Sequence, residues 1–215
     1  MKQCKAILFD LDGTLLDTLQ DMTDSVNHTM RALGKAERTA AEVRTFVGNG
    51  ARRLMELSLE TEDEGEVQRA LDIYLPHYAA HCRDKSAPYE GILEAMAALR
   101  AAGKKLAVVS NKPDEGVKAL AELYFGALAD YAVGERAGIA RKPAPDMVHA
   151  ALAALGVAAA EAVYVGDSEV DVQTAKNAGT KHLAVSWGFR ERQQLIDAGA
   201  ETIADSVEEM LEMLG

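Results

Sequence analysis

The chain has 215 residues, of which 48% are hydrophobic, so it can form a substantial core, which argues against a wholly disordered protein. Its 23 basic and 34 acidic residues give a formal net charge of −11. This charge argues against a nucleic-acid-binding protein, which needs a basic face. Two cysteines far apart in the sequence exclude a disulfide framework and indicate a reducing compartment. We therefore expect a cytoplasmic protein without a signal peptide or a membrane-spanning segment.

Four short apolar runs predict strands that are buried on both faces of a parallel sheet. Each run ends at a cluster of polar residues, and the runs are Ala6–Phe9, Leu106–Val109, Ala162–Val165 and His182–Val185. Helical patterns follow the strands, at 91–102, 113–125, 146–155, 169–178 and 205–214. This alternation predicts βαβ units and an α/β fold with a doubly wound, mostly parallel sheet.

One interval interrupts the alternation of strands and helices. From Asp10 to Leu106 the sequence shows only helical patterns, at 17–33, 39–47, 50–59 and 64–82. A connection between a strand and the next helix usually takes about 2–6 residues, so this interval is too long for a loop. It predicts an inserted α-helical domain at residues 16–85, and an α/β domain formed by residues 1–15 and 86–215.

An acid pair follows the first predicted strand. Asp10 and Asp12 lie two positions apart, and two carboxylates there can divide the work of nucleophilic attack and proton transfer. Gly13 allows a tight turn whose backbone N–H groups can bind an anion. Because Asp-Gly is also a common turn pair, a plain surface turn is an equal alternative for Asp12 and Gly13.

Three further polar clusters follow the later strands, at the edge of the sheet where open α/β folds bind ligands. Ser110 and Asn111 can bind phosphate oxygens, although Ser110 taken alone is better explained as a helix cap. Lys142 can neutralise a phosphate or a carboxylate, although a solvated basic pair with Arg141 is the simpler interpretation. The segment Gly166–Asp171 carries three acids that can hold a hard cation or favour the N-terminus of a helix.

Taken together and in this order, the four clusters resemble the motifs of the haloacid-dehalogenase-like superfamily. The most specific of them is the segment 9–18, which reads FDLDGTLLDT, and Lys142-Pro143 and Gly166-Asp167 agree with it. The resemblance covers residues 5–16 and 86–215, and the helical insertion is similar to the small helical cap of the superfamily. It implies a Rossmann-like core domain that carries a cap domain.

The resemblance also implies a magnesium-dependent phosphomonoesterase that works through an aspartyl-phosphate. Asp10 is then the nucleophile, Asp12 the general acid and base, and Lys142 the cation that balances their charge. Gly13, Ser110 and the Asn111 backbone are implied to bind the phosphoryl oxygens.

The same resemblance implies the ligands of a Mg²⁺ ion. They are the Asp10 carboxylate, the Asp12 backbone carbonyl and Asp167. Asp171 is expected to orient this site from outside the ligand shell. Since oxygen ligands suit several hard cations, another divalent ion in place of Mg²⁺ stays open.

Within the superfamily, the segment Phe46–Met55 is similar to the specificity loop of bacterial phosphoglycolate phosphatases. This similarity implies that 2-phosphoglycolate is hydrolysed to glycolate and phosphate. Gly48, Asn49 and Gly50 offer backbone N–H groups for the substrate carboxylate, and Arg52 or the neighbouring Arg53 offers a positive charge.

Several alternatives stay open at the level of the sequence. Nucleotides, sugar phosphates or pyrophosphate are other possible substrates, and a mutase similar to β-phosphoglucomutase would use the same two aspartates. A dehalogenase is disfavoured because it lacks an acid at the position of Asp12. A non-enzymatic binding protein on the same fold is disfavoured because Asp10 and Asp167 are both present. We expect a small phosphorylated metabolite as partner, no nucleic acid and no membrane, in a monomer or a homodimer.

Overall fold

The computed structural model describes residues 1–215 and divides them into two compact units. One consists of Met1–Leu16 and Pro88–Gly215, and we call it the α/β unit. The other, Asp17–Ala87, contains four helices, and we call it the helical unit. The predicted fold class, a doubly wound α/β fold with an inserted helical domain, is confirmed.

The α/β unit is built on a parallel sheet of six strands in the order β5-β4-β1-β6-β7-β8. The chain has eight strands: β1 Ala6–Phe9, β2 Leu16–Asp17, β3 Ala87–Pro88, β4 Lys105–Pro113, β5 Tyr131–Glu135, β6 Ala162–Gly166, β7 Lys181–Val185 and β8 Ile203–Ala204. β2 and β3 form a separate two-stranded sheet at the points where the chain passes from one unit to the other. The central strands β1 and β6 are buried along their whole length, as their unbroken apolar runs predict.

Six helices complete the α/β unit: α5 Ile92–Ala101, α6 Asp114–Tyr124, α7 Asp146–Leu155, α8 Glu169–Ala178, α9 Arg192–Asp197 and α10 Val207–Leu214. A continuous apolar cluster joins β1, β4 and β6 to α7 and α8, with Leu8, Val109, Met147 and Tyr164 among its members. The helices therefore hold the carboxyl ends of the central strands in fixed positions.

Two of the six strands of the main sheet were not predicted from the sequence. β5 is an edge strand with partly exposed residues, and β8 has only two residues, so neither produces a long apolar run. β4 also continues past its apolar run to Pro113, with a shift of register against β5 between Val109 and Pro113. The polar residues 110–112 are therefore part of the strand and not of a loop after it.

The helical unit contains α1 Leu19–Ala32, α2 Ala40–Phe46, α3 Gly50–Leu59 and α4 Glu64–His81. α1 packs against α4 and α2, and α3 packs against α4. α2 begins with a capping box in which Thr39 and Glu42 each bind the other's backbone N–H group. None of the helices in either unit is long and apolar enough to cross a membrane.

Asp21 is a buried acid in the helical unit. Its carboxylate accepts hydrogen bonds from the backbone N–H of Lys85, at 3.0 Å, and from the backbone N–H of Ser86, at 2.8 Å. The Ser86 hydroxyl donates a further bond of 2.7 Å. The start of α1 is thus tied to the segment that precedes β3.

Candidate active site

The carboxyl ends of β1, β4 and β6 lie side by side, because β1 pairs in parallel with both of the other strands. Asp10 directly follows β1, Ser110 and Asn111 lie near the end of β4, and Asp167 directly follows β6. All four residues are buried. The structure thus places most of the sequence-predicted site residues at one edge of the sheet.

Asp10 is held by two contacts to one of its carboxylate oxygens. Oδ1 accepts a hydrogen bond of 2.7 Å from the Leu11 backbone N–H and lies 2.9 Å from Lys142 Nζ. Burial raises the pKa of Asp10 well above its usual value, and the nearby acids Asp171 and Asp167 add to this, while Lys142 opposes it. Both contacts use Oδ1 and neither uses Oδ2.

Lys142 connects two of the acids. Its ammonium group lies 2.8 Å from Asp171 Oδ1 and 3.0 Å from the Tyr164 hydroxyl, and its side chain is only 1% exposed. Burial alone would lower the pKa of Lys142, but Asp10 and Asp171 raise it well above its usual value. The side chain is therefore a fixed positive charge beside Asp10.

Asn111 positions the backbone of Lys142. Its amide nitrogen Nδ2 donates a bond of 3.0 Å to the Lys142 carbonyl, and its Oδ1 accepts one of 2.8 Å from the Lys142 N–H. The side chain of Asn111 is thus used inside the protein, where it fixes the backbone of Lys142. The neighbouring Ser110 is 2% exposed.

Asp167 is fixed by two donors from other segments. Thr14 Oγ1 donates to its Oδ1 at 2.9 Å, and the Phe189 backbone N–H donates to its Oδ2 at 2.8 Å. Burial, followed by the charge of Asp171, raises the pKa of Asp167 to about 7. Gly13 has φ +83° and lies so close to Asp167 that a Cβ at that position would overlap the carboxylate.

Asp171 uses both of its carboxylate oxygens within the protein. Oδ1 faces Lys142, and Oδ2 accepts bonds from the Ser168 hydroxyl at 2.6 Å and the Ser168 N–H at 3.1 Å. Burial would raise its pKa, but Lys142 and Ser168 lower it below the usual value. Asp171 is therefore a carboxylate that holds Lys142 and begins α8.

The acids form a group that fits a hard divalent cation. Asp10, Asp167 and Asp171 are all buried, and one carboxylate oxygen of each lies within 4.8 Å of those of the others. Oxygen ligands of this kind suit Mg²⁺ and similar ions. Burial is the main cause of the raised pKa values of Asp10 and Asp167, and neighbouring acids add to it, so a bound cation would favour the charged forms of both residues.

A second buried lysine was not predicted as a site residue. Lys112 Nζ lies 3.0 Å from Asp12 Oδ1, and the two side chains are 4% and 10% exposed. Its position directly after Ser110 and Asn111 could have indicated a place in the site. A lysine at the end of a strand, however, usually extends into solvent. Thr14 and the Phe189 N–H, which bind Asp167, were not predicted either, because a hydroxyl and a backbone N–H group do not indicate such a contact in the sequence.

The remaining predicted site residues belong to the helical unit. Asn49 precedes the first turn of α3, and Gly48 and Gly50 have φ angles of 119° and 79°. Arg52 makes a bidentate ion pair with Glu64, with both N–O distances at 3.0 Å. Its neighbour Arg53 is paired with Glu56 and Glu62. Both arginines are thus held by acids of their own unit.

The fold and the buried acids agree with the hydrolase family that the sequence motifs indicate. The model of the haloacid dehalogenase-like hydrolases matches residues 7–185, and the chain belongs to this family. The predicted family and the predicted enzyme class, a hydrolase of the phosphatase type, are confirmed.

Among the relatives are enzymes named phosphoglycolate phosphatase. The one from Mesorhizobium japonicum is 37% identical over 86% of this chain and 84% of its own length. The one from Colwellia psychrerythraea is 32% identical over 98% of this chain and 97% of its own.

Solved structures show the same likeness. A protein from Lactobacillus delbrueckii subsp. bulgaricus, provisionally named a phosphoglycolate phosphatase, has a TM-score of 0.93 and 40% identity over 100% of this chain and 99% of its own. CbbY from Rhodobacter sphaeroides, solved in complex with phosphate, has a TM-score of 0.79 and 27% identity over 96% of both chains.

Proposed function

We propose that this protein is a Mg²⁺-dependent phosphatase that hydrolyses 2-phosphoglycolate to glycolate and phosphate through an aspartyl-phosphate. The observation that carries the proposal is Asp10, a buried carboxylate at the end of β1 that lies beside Lys142 and Asp167. Phosphoryl transfer needs positioning and charge neutralisation more than covalent assistance, and this edge of the sheet supplies both.

In the first step Asp10 Oδ2 attacks the phosphorus atom, and the bond to the alkoxide leaving group breaks. Asp12 gives its proton to the departing oxygen as general acid. Lys142 stays against Oδ1 of the nucleophile, so the attacking group is oriented before the substrate binds. In the second step Asp12 accepts a proton from water, which attacks the phosphorus atom and releases Asp10.

The phosphoryl group needs donors as well as a nucleophile. We assign its oxygens to Ser110, to the Asn111 backbone and to the turn at Gly13, where donors can meet the charge of the transition state. Lys142 balances the charge of Asp10.

We assign the Mg²⁺ site to the carboxylates of Asp10 and Asp167 and to the backbone carbonyl of Asp12. When bound, the ion neutralises the charge on the transferring phosphoryl group. Asp171 is placed outside this ligand set, because both of its oxygens already accept bonds from Lys142 and Ser168. It orients the site through Lys142.

The choice of 2-phosphoglycolate is supported by the relatives named phosphoglycolate phosphatase, which match 86% and 98% of this chain. A carboxylate-bearing substrate also fits the residues predicted in the helical unit, where Gly48, Asn49, Gly50 and Arg52 would bind the carboxylate. A sugar bisphosphate is the second candidate, because a variant of CbbY, 28% identical to this chain, was solved with xylulose-1,5-bisphosphate.

The test is a comparison of kcat/KM for a panel of phosphomonoesters in the presence of Mg²⁺. The panel contains 2-phosphoglycolate, a sugar bisphosphate, a nucleoside monophosphate, pyrophosphate and p-nitrophenyl phosphate. We expect 2-phosphoglycolate to have the highest kcat/KM. A higher value for another natural ester would contradict the substrate and leave the phosphatase mechanism standing, and no turnover of any ester would contradict both.

A further inference from the structure

Lys112 is a buried cation that the mechanism above does not use. Its ammonium group lies 3.0 Å from Asp12 Oδ1, and both side chains are at least nine-tenths buried. Taking an ammonium group out of water is costly unless a carboxylate or other acceptors replace the solvent. A lysine in this place therefore indicates a purpose that a solvent-exposed side chain could not serve.

The chain holds Lys112 by local features of its fold. The shift of register between Val109 and Pro113 keeps Lys112 within β4 and directs it to the same edge of the sheet as Asp12. Its aliphatic stem lies against the first turn of α6, where a Cβ at Gly116 would come within 3.5 Å of Lys112 Cδ. The side chain is thus positioned on two sides before any substrate binds.

The site therefore gives each of its two reacting aspartates a lysine of its own. Lys142 contacts Asp10 at 2.9 Å, and Lys112 contacts Asp12 at 3.0 Å. Lys142 is shared with Asp171, whose Oδ1 lies 2.8 Å from its ammonium group. The two lysines lie on different acids and cannot replace one another.

We propose that Lys112 is the positioning residue of Asp12. It holds the Asp12 carboxyl group toward the leaving oxygen, and it stabilises the negative charge on Asp12 after the proton has moved to that oxygen. The bonds that form and break are those given above, so Lys112 itself neither gains nor loses a proton. This inference rests on the proposed function, since it assumes that Asp12 is the general acid.

The proposal makes the effect of Lys112 depend on the leaving group. An alkoxide leaves poorly without a proton, whereas p-nitrophenolate is stable as an anion and needs little acid assistance. The parameter to compare is kcat/KM, because it covers only the steps up to release of the leaving group. The later hydrolysis of the aspartyl-phosphate, in which Asp12 acts as base for every substrate, does not enter it.

The experiment measures kcat/KM for 2-phosphoglycolate, ethyl phosphate and p-nitrophenyl phosphate with Lys112→Met, Lys112→Gln and Lys112→Arg. For both neutral variants we expect losses of about ten- to a hundred-fold with the two alkyl esters, and less than about threefold with p-nitrophenyl phosphate. Lys112→Arg should recover most of the loss, because it restores a charge beside Asp12. Lys118→Met is the matched control, because the Lys118 side chain is 52% exposed and pairs with Asp114, so kcat/KM for all three esters should stay unchanged.

Two outcomes would overturn the assignment of Lys112. Equal losses with all three esters would mean that Lys112 only supports the structure or binds the phosphoryl group. A loss confined to 2-phosphoglycolate would mean that it reads the substrate carboxylate, which ethyl phosphate lacks. The Gln variant keeps the test open if the Met variant does not fold, and circular dichroism decides which variants are folded.

Asp12→Asn separates this inference from the proposed function. If Asp12→Asn loses more activity with the alkyl esters than with p-nitrophenyl phosphate and the Lys112 variants do not, only the assignment of Lys112 fails. If Asp12→Asn loses no more activity with ethyl phosphate than with p-nitrophenyl phosphate, the general-acid role of Asp12 fails, and the assignment of Lys112 fails with it.

Discussion

The two units of the chain differ in how deeply their ion pairs are buried. The α/β unit has exposed ion pairs but also buried ones, whereas every ion pair of the helical unit has at least one exposed partner. In the α/β unit Asp10, Asp167 and Lys142 are buried at the edge of the sheet, and their contacts are to one another and to fixed donors. In the helical unit most ion pairs are exposed, and Arg52–Glu64 is an example, with side chains 37% and 78% exposed. Buried charges are costly in a way that surface pairs are not.

In the proposed mechanism the buried charges carry out the chemistry, whereas exposed ion pairs contribute little to stability. Burial raises the pKa values of Asp10 and Asp167, so their charged forms are unfavourable in these positions, and such groups are frequent in active sites. The helical unit has one buried acid of its own, Asp21, whose partners are backbone N–H groups and a hydroxyl. We therefore expect substitution of the buried acids in the α/β unit to lower activity, and substitution of Asp21 in the helical unit to lower stability.

The largest effect is expected from Asp10→Asn. The amide has the size of the carboxylate but is not a nucleophile, so kcat should fall by at least about a thousand-fold. Steady-state hydrolysis of p-nitrophenyl phosphate measures the loss, and far-UV circular dichroism checks the fold. Activity near the wild-type level in a folded variant would contradict the assignment of Asp10.

The next largest effect concerns the metal. EDTA should stop hydrolysis and added Mg²⁺ should restore it. Asp167→Ala removes a proposed ligand and should raise the Mg²⁺ concentration for half-maximal activity by more than about a hundred-fold, whereas Asp171→Asn should raise it by about tenfold. Titration of activity with Mg²⁺ gives both values, and equal shifts would contradict the separate roles given to these two acids.

Asp21→Ala tests the one buried acid of the helical unit. The Lys85 N–H, the Ser86 N–H and the Ser86 hydroxyl then lose the acceptor of these hydrogen bonds, so the free energy of unfolding should fall by about 2–4 kcal/mol. Asp24→Ala is the matched control, because Asp24 lies on the same helix and makes an exposed pair with Lys85. It should cost no more than about 1 kcal/mol. Urea denaturation measures the free energy of unfolding of both variants. Equal losses would contradict the stabilising role given to the buried Asp21.

The smallest effect is expected from Arg52, the partly exposed arginine proposed to bind the substrate carboxylate. If Arg52 binds the substrate carboxylate, Arg52→Ala should lower kcat/KM for 2-phosphoglycolate by about tenfold and leave ethyl phosphate unchanged. Glu64→Gln should raise it by up to about fivefold, because it frees Arg52 from a surface pair worth at most about 1 kcal/mol. Glu62→Gln, which frees Arg53 instead, is the control. If Arg52→Ala changes kcat/KM equally for 2-phosphoglycolate and ethyl phosphate, the proposed role of Arg52 is wrong.

The central strands of the fold could be predicted from the sequence because their burial leaves a direct trace in it. Ala6–Phe9 and Ala162–Val165 are unbroken apolar runs, and the structure places them beside each other in the sheet. β5 lies at the edge of the sheet and β8 has two residues, so packing against neighbours defines them more than their own composition does.

The candidate site could be predicted in part for a similar reason. Asp10 and Asp167 lie at the ends of strands that the sequence marks, and their side chains carry the expected chemistry. The partners that fix them could not be predicted, because Thr14 and the Phe189 N–H reach Asp167 through the tertiary fold. Lys112 was missed because its burial depends on β4 continuing beyond its apolar run.

The insertion of the helical unit has a low entropic cost for the chain as a whole. Within the α/β unit, the Tyr89 N–H donates to the Leu15 carbonyl at 3.1 Å, so the two ends that flank the insertion are held together. Within the helical unit, Asp21 ties the corresponding ends to each other through Ser86. Because the cost of closing a loop grows only with the logarithm of its length, a segment whose ends meet in this way can be lengthened or exchanged with little loss of stability elsewhere. The same sheet could therefore carry a different helical insertion, and acquire a different substrate, without rebuilding the acids at its edge.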